Sequence, residues 1–285
     1  MNQQARRWNS LSWHSHSWLW SSLRPLCSAS GHSVLIPRFE RRLPRYDTAS
    51  RRLRTHSKLS SAIGAVLLVL FALFAAAADK KPSAFVPDKG KFTILLDGKS
   101  IGREEFEIQP SGAGWIAKGS TSIQTPGGQS AKVTGNLSLQ SDGVPISYDW
   151  SSQTDKANSA HIEFVNGVAK TTLQVQGAHP FQQENSFGSP LILVLDNNLY
   201  HQYEILAHLY DWSKRGPQSF PVLIPQELTP GNITVESAGS VTADGKNFEL
   251  LKVTTTDLEI HLFLDSSHKL HRLEVPASKV AVLRE

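Results

Sequence analysis

From Lys91 onward apolar and polar residues alternate with period two, and turn residues interrupt the alternation at short intervals. Phe92, Ile94 and Leu96 alternate with Thr93 and Leu95, Asp97-Gly98-Lys99 reverses the chain, and Ile101, Glu104, Phe106 and Ile108 return. Period two with an Asp-Gly turn predicts a β-hairpin. Further strands are expected at Trp115 to Gln124, Ala131 to Gln140, Ile146 to Gln153 and His161 to Val165, the last joined through Asn166-Gly167 to Ala169 to Gln176. Asn-Gly is the strongest of these hairpin signals, because both central residues of the tight turn take positive φ. Later in the chain come Ile233 to Ser237, Phe248 to Thr255, Glu259 to Leu264 and Leu270 to Val275, with Asp244-Gly245 and Ser266-Ser267 between strands.

One segment carries the other period. In DNNLYHQYEILAHLYDW, from Asp196, Leu199, Tyr203, Leu206 and Tyr210 recur at i, i+4, i+7 and i+11. That spacing predicts a helix with a single apolar stripe. Asp196 is its expected N-cap, Lys214 and Arg215 suit its carboxyl end, and Gly216-Pro217 stops it. The apolar run Leu191 to Leu195 just before it reads as a short buried strand or entry segment.

A single helix among many antiparallel strands must bury its stripe against the sheet. The expected fold is therefore mainly β: a strongly curved antiparallel sheet, a half-barrel, wrapped around or covered by one principal helix. The alternative is a closed β-barrel with a flanking helix.

The composition changes abruptly near Asp79. Through Lys58 there are eleven Lys/Arg against two acidic residues, and beyond it eighteen against twenty-three, so the net charge of +4 divides into +9 and −5. The basic character belongs to the leader, which leaves the folded part without the basic stripe that nucleic-acid binding requires. Between the two regions lies Leu59 to Ala78, LSSAIGAVLLVLFALFAAAA, flanked by Arg51, Arg52, Arg54 and Lys58. Positive flank, apolar run and small residues at Ala76 and Ala78 fit a secretory signal cleaved before Asp79, which the alanine-rich end favours. Twenty helical residues also suffice to span a bilayer core of about 30 Å, which would keep residues 59–78 as a membrane anchor. No Cys stands at the junction, so a bacterial lipoprotein anchor is excluded.

The expected organisation is a basic leader over 1–58, a signal core or anchor over 59–78, a linker over 79–90 and one β-rich domain over 91–285. The leader, with Trp8, Trp13, Trp18 and Trp20 amid Ser, His and Arg, has no periodic order and reads either as a start assigned too far upstream or as an organelle transit segment. Cys27, the only cysteine, lies in it, so the domain forms no disulfide or thiolate metal site. About two hundred residues suffice to hide roughly 70% of the unfolded surface without such staples.

Chemistry-bearing patterns are sparse. His201 and His208 stand seven apart on the expected helix, and His268 and His271 form an H-x-x-H by a turn; with no third ligand in pattern, no metal site is expected. Glu104 and Glu105 are adjacent on a strand and face opposite ways, so they cannot serve as a paired acid and base. There is no G-x-S-x-G elbow of the α/β-hydrolase type. Asn136 and Asn232 begin glycosylation-type triplets but read as turn and strand residues. No catalytic residue and no cofactor is expected. Trp115, Trp150, Tyr203, Leu206, Tyr210 and Trp212 remain as candidates to line an apolar concavity.

The stretches FTILLDGKSIGREEFEI, LQSDGVPISYDW, LDNNLYHQYEIL and LEIHLFLDSSHKLHRLEVP resemble uncharacterised bacterial envelope families of unknown function, similar in turn to the periplasmic lipoprotein-carrier half-barrel. The resemblance spans roughly Lys91 to Arg284 and implies an exported, periplasmic or secreted domain, or an inner-membrane-anchored one held outside the cytoplasm. It carries over no catalytic residues. The function expected first is non-enzymatic binding or carriage of a lipid or other apolar molecule, with Tyr203, Leu206 and Tyr210 facing it, which a fully packed interior would exclude. A scaffold or protein-interaction domain of the envelope is the second expectation, and a hydrolase the third. Membrane contact is expected only through 59–78.

Overall fold

The computed structural model describes residues 85–124, 128–154 and 157–285. The leader, the apolar run 59–78 and residues 79–84 lie outside the described residues. Among the described residues, fifteen strands form one sheet around one α-helix.

The first eight strands form a meander: β1 (Asp88–Leu96), β2 (Lys99–Ser111), β3 (Gly114–Gln124), β4 (Ser130–Leu139), β5 (Pro145–Gln153), β6 (Ala157–Val165), β7 (Val168–Val175) and β8 (Phe181–Ser186). The chain then crosses to the opposite edge, lays down β9 (Leu193–Val194), and enters the helix α1 (Gln202–Leu209). A second meander returns: β10 (Gln218–Ile224), β11 (Thr229–Ala243), β12 (Lys246–Thr254), β13 (Glu259–Leu264), β14 (Leu270–Val275) and β15 (Val280–Arg284). The spatial order runs β8 to β1, then β15 down to β9, so β15 pairs with β1 and joins the two meanders. Every neighbouring pair is antiparallel except β9 and β10, which are parallel.

Local turn chemistry explains the hairpins. Asp97-Gly98, Asn166-Gly167 and Asp244-Gly245 all take positive φ at both positions, from 50° to 79°, matching the right-handed twist of the strands they join. Alternate residues enter one core: Phe92, Ile94, Phe106, Ile108, Leu137, Ile162, Leu251, Leu262 and Val282 are all essentially inaccessible. Full burial of one such side chain contributes about 1.5–3 kcal/mol.

The sheet wraps around α1, as the periodicity anticipates. Leu199, Tyr203, Leu206 and Tyr210 are buried, but so are Gln202 and Glu204, which lie to either side of that stripe. The helix therefore sits within the curve of the sheet and not on its flank, against the alternative of a closed barrel with an external helix. The sheet curls until β8 meets the turn before β11, where the Gln183 and Asn185 side-chain amides donate to the Leu228 carbonyl at 2.8 and 3.2 Å. Side chains bridge that seam, and no backbone ladder closes it.

Several expected boundaries change. The domain begins before Lys91: β1 starts at Asp88, and Phe85 is buried, edge-on to Trp115 at 5.7 Å. Pro87, Asp88, Lys89 and Gly90 read as linker composition, yet Asp88 is held by Arg284 and Lys269. The helix is shorter than its periodicity suggests, because Asp196 shapes the preceding turn and does not cap it. Asp196 accepts from Asn198 N at 2.9 Å, and the chain is extended again at Tyr210. Three strands escape the pattern: β8 is polar almost throughout, β10 contains Pro221, and β15 is a five-residue strand at the centre of the sheet.

Candidate functional site

The six aromatic and apolar residues expected to line a concavity are mostly core. Trp115, Tyr203, Leu206 and Tyr210 are 6%, 5%, 0% and 2% exposed. The Tyr210 hydroxyl donates to Gly216 O at 2.9 Å and accepts from Ser237 N at 3.2 Å. Trp212 is half-buried near the carboxyl end of α1, donates to Ala207 O at 3.0 Å and stacks on His268 with centroids 4.0 Å apart. Trp150 is half-buried on the inner side of β5, and its Nε1 has no hydrogen-bond partner. Among the described residues the void beside the helix, between Tyr200, Tyr203, Leu258, Leu273 and Val275, measures about 20 Å³. That is room for one water molecule and not for a lipid.

Sequence reasoning missed a set of buried polar groups that position the helix. Glu104, inward on β2, has both carboxylate oxygens engaged: Oε1 lies 2.5 Å from His201 Nδ1, and Oε2 accepts from Tyr200 N at 2.8 Å. A carboxylate from a strand thus caps the start of α1, where exposed N–H groups and the helix dipole favour negative charge. His201 stacks on Phe106 at 5.7 Å, and its Nε2 is buried without a partner. Close by, the Tyr148 hydroxyl donates to Asp196 at 2.9 Å and Thr121 donates to Asn198 O at 2.6 Å. Burial pushes Asp196 up to about 6.

On the other side of the helix, Glu204 accepts from Leu270 N at 3.1 Å and lies 3.4 Å from Arg284. Arg284 in turn grips Asp88 at 2.7 and 2.8 Å, and Lys269 adds a contact at 2.9 Å. Burial first, then the nearby Asp88 charge, raise Glu204 to about 8. Burial also acts to raise Asp88, but hydrogen bonds from Lys269 and Arg284 outweigh it and hold Asp88 below the usual carboxylate value. Through these contacts α1 braces β2, β3 and β5 of the first meander against β14, β15 and β1. Glu104 and Glu105 face opposite ways as expected: Glu105 is exposed and paired with Lys91 at 2.5 Å. The Glu104–His201 pair has the composition of a catalytic dyad, yet both side chains are 0% exposed.

An open depression of about 590 Å³ lies on the outer face of β3 to β7. Its floor is the backbone of Gly119, Gly135, Trp150 and Ala160, which lie in register and turn their Cα substituents inward. One wall is the registered row Lys118, Asn136, Asp149, His161 and Thr172; the other is Thr134, Ser151, Ser159 and Gln174. Thr134 and Ser151 share a hydrogen bond at 2.7 Å, and Asp149 Oδ1 lies 2.6 Å from His161 Nδ1. That contact with Asp149 raises the His161 pKa. The Asn136 Oδ1 atom is enclosed and has no partner. Among the described residues no group of three or more His, Cys, Asp or Glu is arranged to hold a metal.

No protein family and no curated protein matches the sequence. Among solved structures, the chain is similar to a beta-barrel-like protein of a domain of unknown function, DUF1849, from Brucella abortus. The TM-score is 0.50 at 10% identity, over 71% of this chain and 96% of that one. A DUF1089 family protein from Pseudomonas aeruginosa aligns with a TM-score of 0.41 at 10% identity, over 63% and 91%. The first likeness shows the fold alone: an open, β-barrel-like sheet of a kind found in domains of unknown function.

Proposed function

We propose that this chain is an exported, non-enzymatic binding domain of the bacterial envelope that engages its ligand or partner on the outer face of β3 to β7. The observation carrying this reading is the contrast in space: about 20 Å³ beside the helix against about 590 Å³ outside. An apolar cargo in the interior would have to displace α1 and break the Glu104 and Glu204 braces, buried polar contacts whose loss of partners costs several kcal/mol in all. The apolar run 59–78 and the absence of cysteine from the domain support export.

Two measurements test this reading. Organic extraction of the purified full chain followed by mass spectrometry is expected to yield no stoichiometric lipid. A photo-crosslinking side chain at Ser159 is expected to form adducts in cells that one at Lys252, on the outer face of the second meander, does not. A stoichiometric lipid, or equal labelling at both positions, overturns the proposal.

A further inference from the structure

Resting on that reading of the outer face, we infer that the trough over β3 to β7 binds an uncharged, linear glycan. Its shape comes from the sheet itself. The walls are alternate residues on the same strands, about 7 Å apart at roughly 3.3 Å per residue; the longer crosses five strands, about 19 Å at the usual strand spacing, and the shorter four. The space is thus long and narrow and runs across the strands, with a volume in the range of specific ligand sites.

The chemistry of the walls selects among ligands. Thr134, Ser151, Ser159 and Thr172 each bring a hydroxyl that both donates and accepts, and Asn136 and Gln174 bring amides that do the same. A polyol presents matching groups along its length. A polyanion would need several free cations, but the walls offer Lys118 and a His161 already engaged by Asp149. An extended peptide pairs with a sheet edge, whereas the floor here is interior strand whose backbone is spent on its neighbours. An apolar molecule would strand the hydroxyls without water or partner. Asn136 Oδ1, on a wall residue of this trough, is a polar acceptor that the protein itself does not satisfy.

The outer face of the second meander shows that this surface is not the default. There Arg272 pairs with Asp244 at 3.1 Å and with Glu274, Lys252 lies 3.8 Å from Glu259, and Glu259 contacts His261 at 2.5 Å. Charges interlock across those strands, while six of the nine wall side chains of the trough are hydroxyls or amides.

The test uses the full chain and two soluble hexasaccharides, a neutral β-1,4-linked glucose oligomer and an anionic galacturonate oligomer, titrated by calorimetry. Saturable binding of the neutral probe is expected, unchanged by added salt because no ion pairs are involved. Ser151→Tyr, which fills the trough from an exposed position, is expected to weaken it about tenfold or more, the equivalent of losing one or two hydrogen bonds. An unchanged melting temperature shows that the variant folds, and amide chemical-shift changes confined to β3 to β7 locate the probe independently. Binding of only the anionic probe, of neither, or of the neutral probe equally by Ser151→Tyr overturns the glycan assignment. If the Ser159 crosslinks described above persist while no sugar binds, the ligand class falls and the outer-face reading stands; if they too are absent, both fall.

Discussion

The same three strands, β3, β4 and β5, present two surfaces of opposite construction. Inside, space is so scarce that side chains from the helix segment press against glycine. A Cβ at Gly119 would lie 2.4 Å from His201 Cε1, and one at Gly135 would lie 2.4 Å from Leu199 Cδ1. Outside, the residues one position along, Lys118, Ser120, Thr134 and Asn136, are at least partly exposed to solvent. The inner surface spends polar groups on holding one helix, and the outer surface leaves them available. Specific structure and available chemistry are therefore separated by the thickness of one sheet.

The strongest way to break the inner surface is to remove its buried charge. Glu104→Ala leaves the N–H groups of Tyr200 and His201 and the imidazole without their acceptor, and is expected to cost about 3–5 kcal/mol in urea unfolding. Glu204 provides a test that depends on pH. Its folded pKa of about 8 exceeds the ordinary value of 4.5. Between those values the native chain holds a proton that the unfolded chain has released, so this group's contribution to stability falls as pH rises from 4.5 towards 8. Glu204→Gln stays neutral and is expected to gain about 2–4 kcal/mol relative to the parent between pH 5 and pH 8, measured as the difference in unfolding midpoints. The comparison sharpens at adjacent residues: Gly119→Ala should destabilise by about 1–3 kcal/mol through overpacking against His201, whereas Ser120→Ala should change stability by no more than about 0.5 kcal/mol.

Much of the frame is legible in the sequence because it is written locally. Asn166-Gly167 and Asp244-Gly245 need only their own backbone preferences to set a hairpin, and the alternation of Phe92, Ile94, Phe106 and Ile108 names the core face. The stripe of Leu199, Tyr203, Leu206 and Tyr210 marks the helix for the same reason. Strands β8 and β10 escape because an edge strand such as Gln182-Gln183-Glu184 buries little, and Pro221 tells against a strand. The polar braces are illegible for a different reason. Glu104 meets His201 across 97 positions of sequence, and helical periodicity assigns His201 and Glu204 to a wet face that does not exist once the sheet surrounds the helix. One topological signal was available: a lone helix enclosed by a sheet has no solvent side. The trough is hidden likewise, since alternation shows that Asn136, Asp149, His161 and Ser151 point outward, but only strand register places them in facing rows.

The pairing of β15 with β1 also has a consequence in time. The two meanders share their central ladder only when Val280 to Arg284 settle against Phe92 to Leu96. The sheet therefore cannot be completed in the order in which the chain is synthesised, because its middle arrives last. Until then the first meander exposes the side of β1 that β15 will occupy, an unpaired row of backbone groups beside Phe92 and Ile94. A long loop must close before that edge is covered, which makes assembly slow and leaves a growing chain dependent on keeping this edge from pairing elsewhere.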